Sequence, residues 1–310
     1  MVFETSQLKT IVLVVYMQQL NFTDHRRALH RNRYVYAVVS RRAAGLSIGI
    51  NLNPDKACNF DCPYCQVDRS NQDRSLRNVD VNALIEELRG ILSWVKDGVL
   101  WNIPPFNTAA EHLRVVKDIS FAGDGEPTAC PQFLQAVSAV TELVAEFEFQ
   151  DVRLQLLTNA TLFHKEKVAA GVELLRVNNG EIWAKLDAGT ESWFHRVDGT
   201  RFPFARVLKN IQWAAQRSPI VIQSMFHRFG DEEPDDQEVE AWVKRLEDIY
   251  REGGEIRLVQ VYSVARKPSN SSVKMLEKER LEDIAGSARL LVASLNQKTE
   301  VVVYPGVDFE

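Results

Sequence analysis

The 310-residue sequence predicts an α/β fold: a partial (β/α)6 barrel with an N-terminal arm and a C-terminal helix–strand extension. Three observations predict it. β-patterned runs alternate with helical stretches of ten or more residues, the rhythm of βαβ units and a parallel sheet. Six such runs fit a partial barrel better than a closed eight-stranded one. Several runs carry one polar and one apolar face, whereas an ordinary parallel strand is apolar on both. Polar side chains inside a barrel need water or a ligand. The pattern therefore implies a lumen wide enough for polar ligands, with the apolar faces turned to the helices.

Residues 1–16 precede an internal Met17 and are expected to be a loosely attached extension. Residues 18–44 are polar and basic, with Tyr34, Tyr36, Val38 and Val39 near their end, and read as an arm leading onto the barrel. From Gly45 to Pro54, Leu46, Ile48, Ile50 and Leu52 alternate with Ser47, Gly49, Asn51 and Asn53, a strand that Pro54 ends. Residues 79–97 repeat Leu84, Leu88, Ile91, Leu92 and Val95 at helical spacing, with Gly98 as a stop. Residues 100–113, holding Pro104 and Pro105, read as a loop. A strand over 115–122 runs into Gly123-Asp124-Gly125-Glu126-Pro127-Thr128, and a helix over 131–149 follows, with Pro131 in its first turn.

The pattern then repeats, with strands at 151–159, 181–187, 219–227 and 255–264 and helices at 164–176, 203–217 and 234–250. Arg153, Gln155, Leu157 and Asn159 share a face opposite Val152, Leu154 and Leu156. Trp183, Lys185 and Asp187 oppose Ile182, Ala184 and Leu186, while Val221, Gln223, Met225 and His227 oppose Ile220, Ile222, Ser224 and Phe226. A helix over 276–295 and a strand over 299–304 close the chain. The expected division is an arm at 1–34, the barrel at 35–270 and a helix–strand extension at 271–310.

Hydrophobic content of 45% and charged content of 25% are ordinary for a globular enzyme. Net charge is −5, but residues 1–78 carry 11 Lys and Arg against 6 Asp and Glu, and the remainder carries 26 against 36. The positive part includes Arg26, Arg27, Arg31, Arg33, Arg41 and Arg42; such a run reads as solvated surface ahead of a phosphate-binding patch. No stretch approaches the roughly 20 apolar residues of a membrane span. The apolar run Ile11–Met17 is short and lacks a small-residue cleavage site, so no export is expected, and four cysteines suit a reducing cytoplasm.

Three of those four fall in Cys58-Asn59-Phe60-Asp61-Cys62-Pro63-Tyr64-Cys65. Thiols packed this closely staple a small secreted domain, bind zinc or hold an iron–sulfur cluster. An odd number leaves one over from disulfide pairing. Structural zinc wants four ligands, usually as two close pairs, and no second pair stands nearby. A cubane on three cysteines leaves one iron open, which favours the cluster. Every other ligand-like group also stands at a strand's carboxyl end, where α/β folds bind their ligands: Gly123 to Pro127, Thr158-Asn159 and Lys185-Leu186-Asp187. Lys185 and Asp187 have a plainer reading as a salt bridge. Cys130 reads as a buried thiol, His195 and His227 as structural histidines, and Asp231 to Asp236 as a solvated loop and helix cap.

The C-x3-C-x2-C spacing, with an aromatic before the last cysteine, resembles the signature of the radical S-adenosylmethionine (SAM) superfamily. The resemblance implies that Cys58, Cys62 and Cys65 hold one 4Fe-4S cluster. It implies that the open iron takes SAM and that reductive cleavage releases a 5′-deoxyadenosyl radical. Gly123-Asp124-Gly125-Glu126-Pro127 resembles the segment that meets the SAM amino group in that family. By the same resemblance Tyr64, Asn159, Lys185 and Asp187, and more weakly Gln223 and Gln260, are cofactor-binding candidates, and a flavodoxin- or ferredoxin-type reductant is implied. The cysteine loop through Gln66-Val67, Leu-Leu-Thr-Asn-Ala at 156–160 and Lys-Leu-Asp-Ala-Gly-Thr at 185–190 are similar to the wyosine base-forming tRNA enzymes, over roughly 35–270. Those enzymes carry further cysteines for a second cluster, and here only Cys130 remains, so the resemblance is to a single-cluster relative. The expected substrate is a small molecule or nucleotide-like metabolite, ahead of a tRNA base; a zinc-stabilised binding module is the non-enzymatic alternative.

Overall fold

The computed structural model describes residues 32–40, 44–149, 151–268 and 270–307. Residues 1–16 and Arg26, Arg27, Arg31, Arg41 and Arg42 lie outside them. The strands are β1 (Val35–Ser40), β2 (Gly45–Ile50), β3 (Val116–Phe121), β4 (Arg153–Thr158), β5 (Gly180–Lys185), β6 (Ile220–Met225), β7 (His227–Phe229), β8 (Ile256–Tyr262), β9 (Val273–Met275) and β10 (Glu300–Tyr304). Eight form one sheet in the order β1-β2-β3-β4-β5-β6-β8-β10. β1 is antiparallel to β2, and the remaining neighbours are parallel. The fold is therefore α/β with a mostly parallel sheet, as the βαβ rhythm predicts.

The helices are α1 (Val81–Lys96), α2 (Phe133–Glu146), α3 (Glu166–Val177), α4 (Glu191–Val197), α5 (Phe204–Ala215), α6 (Asp236–Arg251) and α7 (Lys278–Ser294). Their limits follow local chemistry. Asp80 caps α1 by accepting from the Ala83 amide, and Gly98, with φ of 70°, turns the chain away past its end. Asp235 caps α6 through the Glu238 amide. Leu84, Leu88, Ile91 and Leu92 of α1 are buried, each worth about 1.5–3 kcal/mol of apolar transfer.

Several elements depart from the expectation. The stretch leading onto the barrel carries an unpredicted strand, β1, whose Tyr36 ring covers Gly49 so closely that a Cβ there would lie 2.1 Å from it. The C-terminal extension's strand joins the main sheet: Glu300–Tyr304 pairs in parallel with Leu258–Tyr262 and adds a seventh parallel strand. The loop at 100–113 folds as three short 3-10 turns, Val99–Asn102, Phe106–Thr108 and Glu111–Leu113. α2 begins at Phe133, two residues beyond Pro131. α4 and the β7–β9 ribbon are not among the elements expected from the sequence. Among the described residues no helix is long and apolar enough to cross a membrane.

The polar strand faces are real, but their side chains largely satisfy one another. Ser47 and Ser120 both donate to Asp118, at 2.5 and 2.7 Å, and Ser120 also lies 3.0 Å from Gln155. Gln223 donates to Gln260 at 2.9 Å. Parallel register sets these residues side by side, so neighbours complete hydrogen bonds that the strand pattern alone assigns to water or ligand.

Candidate metal and cofactor site

The cysteine loop leaves β2 at the carboxyl edge of the sheet and is held there from three sides. Asn159, just past β4, donates to Asn59 Oδ1 at 2.8 Å, and Asn59 in turn donates to Thr161 Oγ1 at 2.6 Å. Asn159 Oδ1 accepts from the Thr161 hydroxyl and amide at 2.7 and 3.2 Å. Gly125 presses on the loop from β3: a Cβ there would lie 2.1 Å from the Ala57 carbonyl oxygen. Gly199 presses from beyond α4, with φ of 56° and a Cβ position 2.0 Å from the Asp61 carbonyl oxygen. Only glycine fits both the contact and the left-handed backbone there.

Cys58, Cys62 and Cys65 are half-buried free thiols. Among the described residues no three His, Cys, Asp or Glu side chains are grouped to enclose a single ion. The loop instead offers three thiols spread over eight residues, a donor set that suits a cluster with one unligated iron. Burial pushes the Cys58 thiol pKa up, against a backbone hydrogen bond at Phe60. Burial, reinforced by the charge of Asp198, holds Cys62 well above the usual thiol range, and its Sγ lies 3.6 Å from Asp198 Oδ1. Cys130 is not part of this group: it is buried in the apolar core with its thiol 3.7 Å from Gln132 Oε1, and burial raises its pKa to about 11.

A second cluster of polar groups stands beside the loop. The Tyr64 hydroxyl lies 2.5 Å from Asp187 Oδ2 and 3.0 Å from Asp198 Oδ1, so two buried carboxylates share one donor. Lys185 Nζ pairs with Asp187 Oδ2 at 2.8 Å and sits 4.6 Å from the centre of the Tyr64 ring. Asp187 Oδ1 accepts from the Met225 amide at 2.8 Å. Burial, with Asp187 and Asp198 adding to it, raises the Tyr64 pKa well above its ordinary value. Burial and then Asp187 do the same to Asp198. Burial works against the charge of Lys185, but the anions around it, Asp187 foremost, outweigh that and raise its pKa. The His227 ring meets Tyr64 edge-on at 5.2 Å, is 2% exposed, and has no hydrogen-bond partner on either nitrogen.

The turn carrying Asp187 is fixed from behind. Trp242 of α6 donates to the Leu186 carbonyl at 3.1 Å, and a Cβ on Gly189 would lie 2.0 Å from the Trp242 amide nitrogen. Glu238 accepts from the Thr190 hydroxyl at 2.6 Å and from the amides of Gly189 and Thr190.

The remaining sequence candidates divide. Gly123, Asp124 and Gly125 line the exposed or half-buried turn after β3. Asn51 clasps Asp124, accepting from its amide at 3.0 Å and donating to its carboxylate at 2.9 Å. Glu126 points inward instead. Its buried carboxylate takes hydrogen bonds from the hydroxyls of Thr128 and Thr158 and the amides of Thr128 and Asn159. Burial raises its pKa against those bonds. Pro127 is buried at the start of the 3-10 turn Pro127–Ala129. Gln223 is buried against Gln260, beside Lys185 in the register. Sequence reasoning missed Asp198, Arg69, Asn59 and Thr161. Asp198-Gly199 reads locally as a turn, and nothing local marks Arg69.

Fold and site together define a parallel α/β protein with a three-thiol loop at the carboxyl edge of its sheet. The profile of the Radical SAM superfamily matches residues 52–241, and the chain belongs to that superfamily. It is 25% identical over 279 residues to a protein of Brachyspira hyodysenteriae named GTPase Obg, covering 85% of this chain and 34% of that one. A UPF0026 protein of Helicobacter pylori is 25% identical over 166 residues, covering 53% of this chain and 46% of its own. The chain thus spans between a third and a half of the curated relatives it matches. None of its 15 glycines precedes a lysine, so these 310 residues hold no P-loop signature of a nucleotide triphosphatase. A radical SAM methyltransferase from Sphaerobacter thermophilus superposes with TM-score 0.59 at 11% identity, covering 87% of this chain and 68% of the other, a likeness of fold.

Proposed function

We propose that the chain is a radical SAM enzyme acting on a small-molecule or nucleotide-like substrate. Cys58, Cys62 and Cys65 hold one 4Fe-4S cluster. Tyr64, Lys185, Asp187 and the turn from Gly123 to Pro127 shape the SAM site, with Gln223 beside Lys185 and Asn159 fixing the loop. The observation that carries the reading is the clamped thiol loop: Asn159, Gly125 and Gly199 hold it against the carboxyl edge of the sheet, beside the Tyr64–Lys185–Asp187 group. When bound, the cluster supplies the electron that splits SAM into methionine and a 5′-deoxyadenosyl radical.

The protein's share is to bind, orient and exclude water. The glycine turn lets backbone approach a ligand closely. Lys185 offers a cation to a carboxylate, and Asp187 offers acceptors to hydroxyls. A flavodoxin- or ferredoxin-type protein serves as reductant. The acidic balance of residues 79–310, with 26 Lys and Arg against 36 Asp and Glu, favours a small substrate over tRNA.

The test is anaerobic reconstitution with iron and sulfide, followed by SAM and dithionite. About four irons and four sulfides per chain and release of 5′-deoxyadenosine are expected, with Cys62→Ala inactive. Zinc in place of iron and sulfide, or equal nucleoside yield from Cys62→Ala, would overturn the reading.

A further inference from the structure

Arg69 lies four residues beyond Cys65 and had no role in the sequence pattern. In the fold its guanidinium fills the seam between the cysteine loop and the glycine turn. Nη2 donates to Cys65 Sγ at 3.4 Å. Nη1 donates to the Asp124 carbonyl at 2.7 Å and to the Lys56 carbonyl. Nε is buried without a hydrogen-bond partner, so the head group is pressed into the protein although one of its donors gains nothing. Burying an unpaired donor is costly, and two carbonyls alone do not require a charged fork.

We propose that Arg69 is a positioning residue for the cluster. It donates a charge-assisted N–H···S hydrogen bond to the sulfur of Cys65, and so raises the reduction potential of the group that Cys65 holds. The inference rests on the cluster reading above. Adding an electron places one more negative charge beside a fixed cation and an N–H donor, and both favour the reduced state. The same fork grips Asp124, so one side chain ties the thiolate to the turn proposed for SAM.

The test compares wild type, Arg69→Lys and Arg69→Gln, each reconstituted anaerobically and matched for iron and sulfide. The fraction of reduced cluster is followed by electron paramagnetic resonance at controlled potentials. Arg69→Gln is expected to lower the ratio of reduced to oxidised cluster about tenfold at a given potential, which is about 59 mV for a one-electron couple. Arg69→Lys, which keeps the charge and loses the fork, is expected to fall between. A second measurement does not depend on either variant folding. Wild-type protein labelled with nitrogen-15 in its arginine guanidinium groups should show a hyperfine coupling to the reduced cluster in pulsed experiments.

An Arg69→Gln cluster with the wild-type potential, or no nitrogen-15 coupling in wild type, overturns the role of Arg69 and leaves the cluster reading standing. Wild-type protein that takes up zinc in place of iron and sulfide overturns the cluster reading, and this inference with it.

Discussion

Replacing Gly125 by alanine adds one methyl group at the point where the glycine turn meets the cysteine loop. The new carbon would lie 2.1 Å from the Ala57 carbonyl oxygen and 2.8 Å from Cβ and Cγ of Asn53. Ala57 directly precedes Cys58, and a carbonyl cannot swing aside as a flexible side chain can. The loops must part by about 1 Å before contact becomes tolerable in a close-packed interior. Overpacking of this kind costs about 1–3 kcal/mol, and a displacement of that size at a reacting centre costs about 100-fold in rate. Urea unfolding of the metal-free protein should show the stability loss as a lower midpoint with unchanged slope. Reconstituted variant should release 5′-deoxyadenosine about 100-fold more slowly. Gly90→Ala is the matched control. Gly90 is inside α1 with nothing within 4 Å of its Cβ position, so the same change should stabilise by about 0.5–1 kcal/mol. If Gly125→Ala unfolds at the wild-type midpoint and forms product at the wild-type rate, the two loops are not in the contact described.

Three further outcomes follow from the site. Burial lowers the His227 pKa to about 4 from 6.5, with Asp187 pulling it up and Lys185 pushing it down. The unfolded chain then binds more protons between those values, so stability is full above pH 6.5 and falls by about 1.4 kcal/mol per unit down to pH 4. His227→Phe should flatten that slope in urea titrations at several pH values, and parallel curves would refute it. Asn159→Ala takes the acceptor from the fully buried Thr161 amide and the Asn159 donor from Asn59 Oδ1. It should cost about 1–3 kcal/mol and slow iron uptake; uptake at the wild-type rate would mean that the clamp does not order the loop. Tyr64→Phe removes the donor shared by Asp187 and Asp198 and should lower stability at pH 7 by about 1–3 kcal/mol. An unchanged urea midpoint would show that another donor replaces it.

Much of the site was legible because its markers are local. The spacing of Cys58, Cys62 and Cys65 is written in eight consecutive residues, and Lys185 and Asp187 show themselves by strand parity. Their partners are not legible in that way. Asp198 reaches Tyr64 across 134 positions, Asn159 reaches Asn59 across 100, and Arg69 reaches Asp124 across 55. Glu126 shows the same limit from the other side. Its place in a glycine turn suggests a ligand contact, yet Thr128, Thr158 and the Asn159 amide turn the carboxylate into the protein.

The sequence alone determined the alternation of strands and helices and the position of the three thiols after the first parallel strand. Both are properties of short windows, in which hydrophobic period and residue spacing act directly on the backbone. Only the tertiary structure decided that β1 closes one edge of the sheet and β10 the other, and that neighbouring strands satisfy the polar lumen. It also decided that Arg69, Asp198 and Asn159 converge on the thiol loop. Strand pairing and loop contacts bring distant segments together, and register in three dimensions, not periodicity along the chain, determines which side chains meet.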